Sequence, residues 1–299
     1  LLHHRRRAFS DLVRHAARRT AFHARLYEGI DLSGEIDPAR LPVTDKRAMM
    51  DRFDETVTDP RLTLATVREH LAAVRGDAYH LGEYRVVATS GTSGHRGHFV
   101  YDRAAWRLVL GDTLRWNRFM GLTPRLPVRL RLASIGADAP MHVTERIPRS
   151  GDVGLFKVRH FRATESVPGL ARGLQAFRPD AILAYPSVAA LLADEQAAGR
   201  LSIAPKVVST HSEVLTEDMR ARIRAAWGVQ AFDHYGLTEA PHVGADCEAH
   251  MGLHVFEDTC MVEVVDAENR PVPDGTPGAK WLLTNLCNRV QPLIRYEVE

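Results

Sequence analysis

Between a short apolar run and a helix-like stretch the chain reads 89-TSGTSGHRG-97. Four hydroxyl residues, Thr89, Ser90, Thr92 and Ser93, are interleaved there with Gly91, Gly94 and Gly97. Glycines let backbone N–H groups converge on an anion, and hydroxyls add further donors, so this composition can cradle phosphate. The expected setting is the C-terminal end of a parallel strand, with the positive end of a following helix behind it. Two familiar phosphate loops are excluded by spacing. The P-loop needs a lysine in G-x-x-x-x-G-K-[ST], and the stretch has none; the dinucleotide fingerprint needs G-x-G-x-x-G, whereas these glycines run G-x-x-G-x-x-G. An ordinary Ser/Thr/Gly connection is the plainer alternative.

A second stretch with chemical potential is 232-FDHYGLTEAP-241. Asp233, His234 and Tyr235 fall at an expected strand end, before Gly236, Thr238 and Glu239. An aromatic ring can stack on a nucleobase, a threonine can bond a phosphate oxygen, and a carboxylate can hold Mg²⁺. Downstream, 242-HVGADCEAHMGLH-254 offers zinc-ligand chemistry through Cys247 and His250, with His242, His254 and Cys287. The spacing is unlike that of common zinc modules, and solvent-facing histidines with a buried thiol are the plainer reading.

These residues need elements to position them. A helix is expected over 8–28, with Phe9, Leu12, Val13, Ala16 and Ala17 on one stripe, and Thr44 is expected to cap a short helix through Met49 and Met50. From residue 84 strand and helix patterns alternate. RVVAT, VRLRLASI, AILAY, KVVST and VQAFDHYG read as strands, and 102–119, 167–177, PSVAALLADEQAAG and TEDMRARIRAAWG as helices. The last of these starts at Thr216 as N-cap, has Glu217 and Asp218 in its first turn, and stops at Gly228. Alternation of this kind predicts an α/β fold with a mostly parallel sheet. After about residue 250 the text changes: GLHVF, CMVEVVD, AKWLLTN and PLIRYEV are strands joined by Pro/Gly/Asp-rich turns, which predicts a small antiparallel β subdomain. The expected organisation is a helical region over 1–83, an α/β body over 84–249 and the β subdomain over 250–299. The final strand has no turn or cap after it, so the natural protein is expected to continue.

Composition closes off several classes. The 39 basic and 37 acidic residues leave a net charge of +2, no footprint for nucleic acid or an anionic membrane surface. Three cysteines cannot form a closed disulfide framework, and a cytoplasmic location is expected. The arginine-rich start reads as a solvated helix face, with a transit peptide as the alternative.

Taken together, TSGTSGHRG and HYGLTE resemble the phosphate loop and the aromatic-Gly-x-Thr-Glu motif of the adenylate-forming superfamily of acyl-CoA synthetases and luciferases. RLPVTDK, MMDRFDETVTDPRLT, YPS at 185–187, SEVLTEDMR, GLHVFED and PLIRY add a resemblance to the phenylacetate–CoA ligase branch and its coenzyme F390 synthetase-like relatives, in order over nearly the whole chain. The resemblance implies that Thr89, Ser90, Gly91, Thr92, Ser93 and Gly94 hold the β- and γ-phosphates of ATP. It implies that His211, Ser212 and Glu213 form an adenine wall, in a segment where the family has a Gly-Ala-Glu-like sequence. Asp233 would meet the adenine amino group, Tyr235 would stack on the ring within 233-DHYG-236, Thr238 would contact the α-phosphate and Glu239 would bind Mg²⁺. His95-Arg96 stands where the family often has Lys-Pro. The family's ribose-binding aspartate and its mobile C-terminal domain, with the adenylation lysine, would lie beyond Glu299.

The implied activity is ATP-dependent activation of an aryl or other small carboxylic acid through an acyl-adenylate, followed by transfer to a thiol, coenzyme A. The acid pocket is expected among Ser134, Gly136, His142 and Tyr185, although 131-RLASIGADAPMHVTE-145 departs from the phenylacetate-ligase pattern. A nucleotide-binding module that has lost catalysis, and a ligase with a non-thiol acceptor, are the alternatives. The partners expected are small molecules and a second copy of the chain in a homodimer.

Overall fold

The computed structural model of the chain describes residues 1–89, 91, 96–123, 127, 129–137, 141–151 and 154–298. The order of elements begins with helices α1 (Leu2–Arg19), α2 (Ala21–Leu26), α3 (Lys46–Asp51), α4 (Phe53–Thr56) and α5 (Leu64–Ala73), then strands β1 (Arg85–Ala88) and β2 (His98–Tyr101) and helix α6 (Arg103–Phe119). It continues with β3 (Leu130–Gly136), α7 (Val143–Ser150), β4 (Phe156–Arg162), α8 (Val167–Phe177), β5 (Ala181–Ala184), α9 (Pro186–Ala197), β6 (Val207–His211), α10 (Glu217–Trp227) and β7 (Ala231–Tyr235). Short strands β8 (Gly244–Ala245) and β9 (His254–Val255) precede β10 (Cys260–Val265), β11 (Lys280–Asn285) and β12 (Leu293–Glu297). Among the described residues no helix is long and apolar enough to cross a membrane.

Two compact units share these elements: Leu1–Leu108 with Thr238–Ala240 and Val255–Glu299, and Val109–Leu237 with Pro241–His254. They cut across the expected stretches 1–83, 84–249 and 250–299. The helical N-terminal region, the β1–β2 pair and the β10–β12 sheet fall in one unit.

In the first unit the stripe of α1 is buried as its periodicity requires. Phe9, Leu12, Val13 and Ala16 pack with Tyr27, Ile36, Leu41, Met261, Leu286 and Ile294. The single helix expected over 8–28 is interrupted at Thr20, whose extended backbone ends α1 while its hydroxyl accepts from His23 N–H and caps α2. The cap of α3 is Asp45, whose carboxylate accepts from Ala48 N–H at 2.7 Å. Thr44 instead pairs with β12, donating its N–H to Arg295 O and accepting from Glu297 N–H. Strands β10, β11 and β12 form the antiparallel sheet expected here. GLHVF contributes only β9, which edges the larger sheet.

The glycine-hydroxyl loop sits in a different setting from the one expected. β1 pairs antiparallel with β2, so the loop is the turn of a hairpin and no helix N-terminus follows it directly. HFVY was hidden because four residues after a loop carry too little periodicity to separate from the start of a helix. The outer edge of β2 is paired by side-chain amides. Gln291 Oε1 accepts from Val100 N–H at 2.9 Å, and Asn288 Nδ2 donates to Val100 O at 2.8 Å. Gln291 Nε2 also donates to Thr56 Oγ1 and to His98 O.

In the second unit the strand order is β4-β3-β5-β6-β7-β8-β9, parallel from β4 to β7. As read from the sequence, Thr216 caps α10 and Gly228 closes it in the left-handed region at φ 71°; Ser166 caps α8. Alternation along the strands gives the sheet two unlike faces. Ala133, Ile135, Ile182, Ala184, Val208 and Ala231 pack into an apolar core with α8, α9 and α10. The opposite face carries Ser134, Gly136, Leu183, Tyr185, Ser209, His211, Phe232 and His234.

Gln291 is 1% exposed, so Gln291→Leu strands the N–H of Val100 in the interior. The expected cost is about 1–3 kcal/mol, read as a lower urea midpoint. An unchanged midpoint would show that the hairpin edge has another partner.

Candidate functional site

Thr238 and Glu239 are held by three strand side chains of the first unit. Tyr101 OH, at the end of β2, donates to Thr238 O at 2.8 Å. Asn285 Nδ2, at the end of β11, donates to Glu239 O at 3.0 Å. Tyr296 OH, on β12, donates to Glu239 Oε1 at 2.8 Å. Glu239 is 7% exposed, so its carboxylate needs such a donor to stay charged. Burial, and then the charge of Glu239, hold the Tyr101 phenol far above its usual range, so it remains a donor.

Tyr296 is fixed in turn by its neighbour. Arg295 is 2% exposed and takes a left-handed backbone at φ 46°, uncommon for a side chain of its size. Its guanidinium donates to Glu263 at 3.1 Å, to Leu41 O and to Asn269 O, which ties three segments to one turn of β12.

Of the phosphate-loop residues, Ser90, Thr92, Ser93 and Gly94 lie outside the described residues. The base of the loop is closed by Thr89 and Gly97. Thr89 N–H donates to Gly97 O at 3.0 Å, and Gly97 N–H donates to Thr89 Oγ1 at 2.8 Å. A Cβ on Gly97 would stand 2.7 Å from Phe99 Cε2, and Gly91 has φ +77°, so both glycines are required by geometry.

In the second unit the remaining candidates gather at the C-terminal ends of β5, β6 and β7. His211 and His234 are register partners on adjacent strands, and the Tyr185 ring meets the His211 imidazole edge-on at 5.4 Å. Ser212 has φ 69° and its Oγ lies 3.0 Å from His211 Nδ1. Glu213 Oε2 accepts from Ser187 N–H at 3.1 Å, joining the end of β6 to the start of α9. Asp233 and Tyr235 are half-buried and face away from His234 by strand alternation. Burial pushes the Asp233 carboxyl up, Arg220 opposes it and Asp246 adds to it. Gly236 has no substitute, because a Cβ there would run into the carbonyl oxygen of Pro241. His142 precedes α7 without capping it through its side chain, and Ser134 is buried one row below Gly136.

The zinc expectation is corrected. Among the described residues no group of three or more His, Cys, Asp or Glu could hold a metal ion. His250 Nδ1 lies 2.7 Å from Asp246 Oδ2, Cys247 Sγ lies 3.1 Å from His254 Nε2, and His242 bonds His234. Cys247, His242, His250 and His254 are each hydrogen-bonded within a pair.

That last pair is a feature the sequence reading missed. His234 Nε2 and His242 Nδ1 are 2.8 Å apart, His242 Nε2 lies 2.9 Å from Thr113 Oγ1, and Trp116 stacks on His234 at 4.2 Å and 24°. The signal available was alternation along FDHY, which separates His234 from Asp233 and Tyr235; nothing local points to Thr113 on α6. Burial is the largest cause of lowered basicity for all three imidazoles, with His211 brought to about 4, His242 to about 3 and His234 well below its ordinary value.

No protein-family model matches the chain. The phenylacetate–coenzyme A ligase of Aromatoleum evansii is 30% identical over 306 residues, which cover 95% of this chain and 62% of that protein. That of Thermus thermophilus is 28% identical over 309 residues, covering 95% and 61%. The chain is similar to these phenylacetate–coenzyme A ligases over nearly its whole length and spans about three fifths of theirs. Its fold matches that of 2-hydroxyisobutyryl-CoA ligase, whose open conformation was solved with 2-HIB-AMP and CoA. The TM-score is 0.77 at 20% identity over 97% of this chain and 66% of that one. ATP-bound MatB from Rhodopseudomonas palustris is a more distant fold match, with TM-score 0.50 at 18% identity over 68% of this chain and 39% of that one.

The buried imidazoles make stability pH-dependent. Unfolded histidines titrate near pH ~6.5. Above that pH both states are neutral at these rings. Below it the unfolded chain takes up protons that the folded chain refuses, so stability is lost as pH falls toward the folded values of about 3 and 4. Each ring contributes up to about 1.4 kcal/mol per pH unit. Unfolded carboxylates are ionised above pH ~5, so between there and pH ~6.5 the unfolded chain takes up protons mainly at its histidines. The urea midpoint is expected to fall steadily across it, with a shallower fall in His242→Gln. Parallel slopes in the two proteins would contradict the buried neutral pair.

Proposed function

We propose that this chain carries the acid-activating site of an ATP-dependent acid–thiol ligase. The observation that carries the reading is the fixed Thr238–Glu239 pair, a carboxylate and a hydroxyl residue locked by Tyr101, Asn285 and Tyr296. The match of 95% of the chain to named phenylacetate–coenzyme A ligases supports it.

In this reading the chain's residues hold ATP and a magnesium ion. A buried carboxylate with one oxygen already accepting a hydrogen bond is the kind of single protein ligand that Mg²⁺ takes beside phosphate oxygens and water. Tyr235, half-buried at a strand end and followed by an obligatory glycine, offers a ring face to a base. Asp233 is the acceptor for an exocyclic amine, and the His211–Glu213 segment walls the base. Thr238 donates to the α-phosphate, and the hydroxyls of 89–93 donate to the outer phosphates. When bound to Glu239, Mg²⁺ neutralises charge on the transferring phosphate.

A carboxylate is a poor electrophile because its leaving group would be oxide. In the proposed first step the acid's carboxylate oxygen attacks the α-phosphorus, the bond to the β-phosphate oxygen breaks, and pyrophosphate leaves. No nucleophilic side chain takes part, so positioning and electrostatic stabilisation supply the rate. In the second step the sulfur of coenzyme A attacks the acyl carbon and AMP leaves. The acid's body is assigned to the polar and aromatic sheet face, where Ser134, Gly136 and Tyr185 are joined by His211 and His234. A sheet face that served packing alone would be apolar, as the opposite face is.

The test is pyrophosphate exchange into ATP across a panel of aryl and short aliphatic acids, with Glu239→Gln beside wild type. Acid-dependent exchange is expected in wild type. Glu239→Gln should retain the fold, lower exchange by about a hundredfold or more, and raise the Mg²⁺ concentration needed for half-maximal rate. A variant with normal metal dependence would remove Glu239 from the metal site.

A further inference from the structure

The hydrogen-bond chain behind the end of β7 fixes more than a ring position. Thr113 has one hydroxyl proton and donates it to Val109 O at 3.0 Å, in the common helical back-bond. Its oxygen therefore accepts from His242, which must carry its proton on Nε2, 2.9 Å away. Nδ1 of His242 is then a bare acceptor, and His234 must donate to it from Nε2 at 2.8 Å. A neutral His234 has no second proton, so its Nδ1 carries a lone pair. Neutrality is enforced by burial of both rings and, at His242, by the nearby Arg115.

The rest of the ring is accounted for. Trp116 covers one face at 4.2 Å, and the Cε1 edge lies against the space left by the missing side chain of Gly236. Nδ1 meets no partner among the described residues, although His234 is only 7% exposed. The nitrogen itself is open to solvent although the residue is buried, so a donor can reach it, and an apolar group placed against it strips its water. Its surroundings on that sheet face are ring-bearing: Tyr185 and His211 along the strand ends, and Phe232 one row below.

We propose that His234 is a specificity-determining residue that accepts a hydrogen bond at Nδ1 from the body of the acid, so that the site selects aromatic carboxylic acids carrying a hydroxyl. His242 and Thr113 are positioning residues that set the tautomer. The inference rests on the acid-activating reading above and deepens it to a substrate class.

The experiment uses two readouts on the whole chain. The first is the nitrogen NMR spectrum of protein labelled with ¹⁵N-histidine, with His234 assigned by its loss in His234→Gln. His234 is expected as the Nε2–H tautomer, and its Nδ1 resonance should move when a hydroxybenzoate binds and stay when the matching fluorobenzoate binds. The second is pyrophosphate exchange with ortho, meta and para hydroxybenzoates, each beside its fluoro counterpart. The best hydroxy acid should exceed its counterpart in kcat/KM by about tenfold, the scale of one neutral hydrogen bond to a buried group. His234→Leu should bring that ratio to about one, and His242→Leu should lower it by freeing the tautomer. An Nδ1–H tautomer at His234, equal rates for both acids of each pair, or a ratio that survives His234→Leu would each overturn the inference. Absence of exchange with every acid, aliphatic ones included, would instead overturn the acid-activating reading, and the tautomer would still be decided by the spectra.

Discussion

One buried carboxylate organises the first unit. Glu239 is 7% exposed and Tyr296 donates to it, while Tyr101 and Asn285 hold the carbonyls of Thr238 and Glu239. The three donors lie on three different strands, one from the β1–β2 hairpin and two from the antiparallel β10–β12 sheet. Each of those strands is fixed by something else. Asn288 and Gln291 pair the edge of β2, and Arg295 locks the turn of β12 through Glu263, Leu41 and Asn269. Buried polar groups bonded this completely tolerate little displacement, because moving one member leaves others unsatisfied. The same hairpin that carries the hydroxyl-rich loop therefore also clamps the Thr238–Glu239 pair.

The second unit works through asymmetry of one parallel sheet. Its α8–α10 face is apolar and buried, which supplies the stability. Its other face places small polar residues and rings side by side at the strand ends, where a parallel sheet binds ligands. Strand alternation lets a single five-residue strand serve both sides, with Asp233 and Tyr235 on one and His234 on the other.

Where the chain states its own boundaries locally, the sequence is a sufficient guide. Thr216, Glu217, Asp218 and Gly228 delimit α10 as read, and Ser166 with Pro168 opens α8. The α/β alternation and the late antiparallel strands were visible for the same reason. The β1–β2 hairpin was not, since its pairing is settled by Asn288 and Gln291 almost two hundred positions away. The break at Thr20 and the cap at Asp45 in place of Thr44 were not legible, because several polar residues near a helix end compete for the capping role and tertiary contacts choose between them. The motif residues Thr238 and Glu239 were legible, but their supports Tyr101, Asn285 and Tyr296 were not. The histidines that suggested zinc are paired instead with Asp246, Cys247 and one another, a distinction that spacing along the chain cannot make.

The central claim is that a carboxylate held by a tyrosine presents Mg²⁺ to ATP. It is tested most directly by calorimetric titration of ATP, with and without Mg²⁺, into wild type and Tyr296→Phe. The account predicts tighter binding with Mg²⁺ in wild type and a much smaller Mg²⁺ effect in Tyr296→Phe, with metal-free binding little changed. An identical Mg²⁺ effect in the two folded proteins would contradict it.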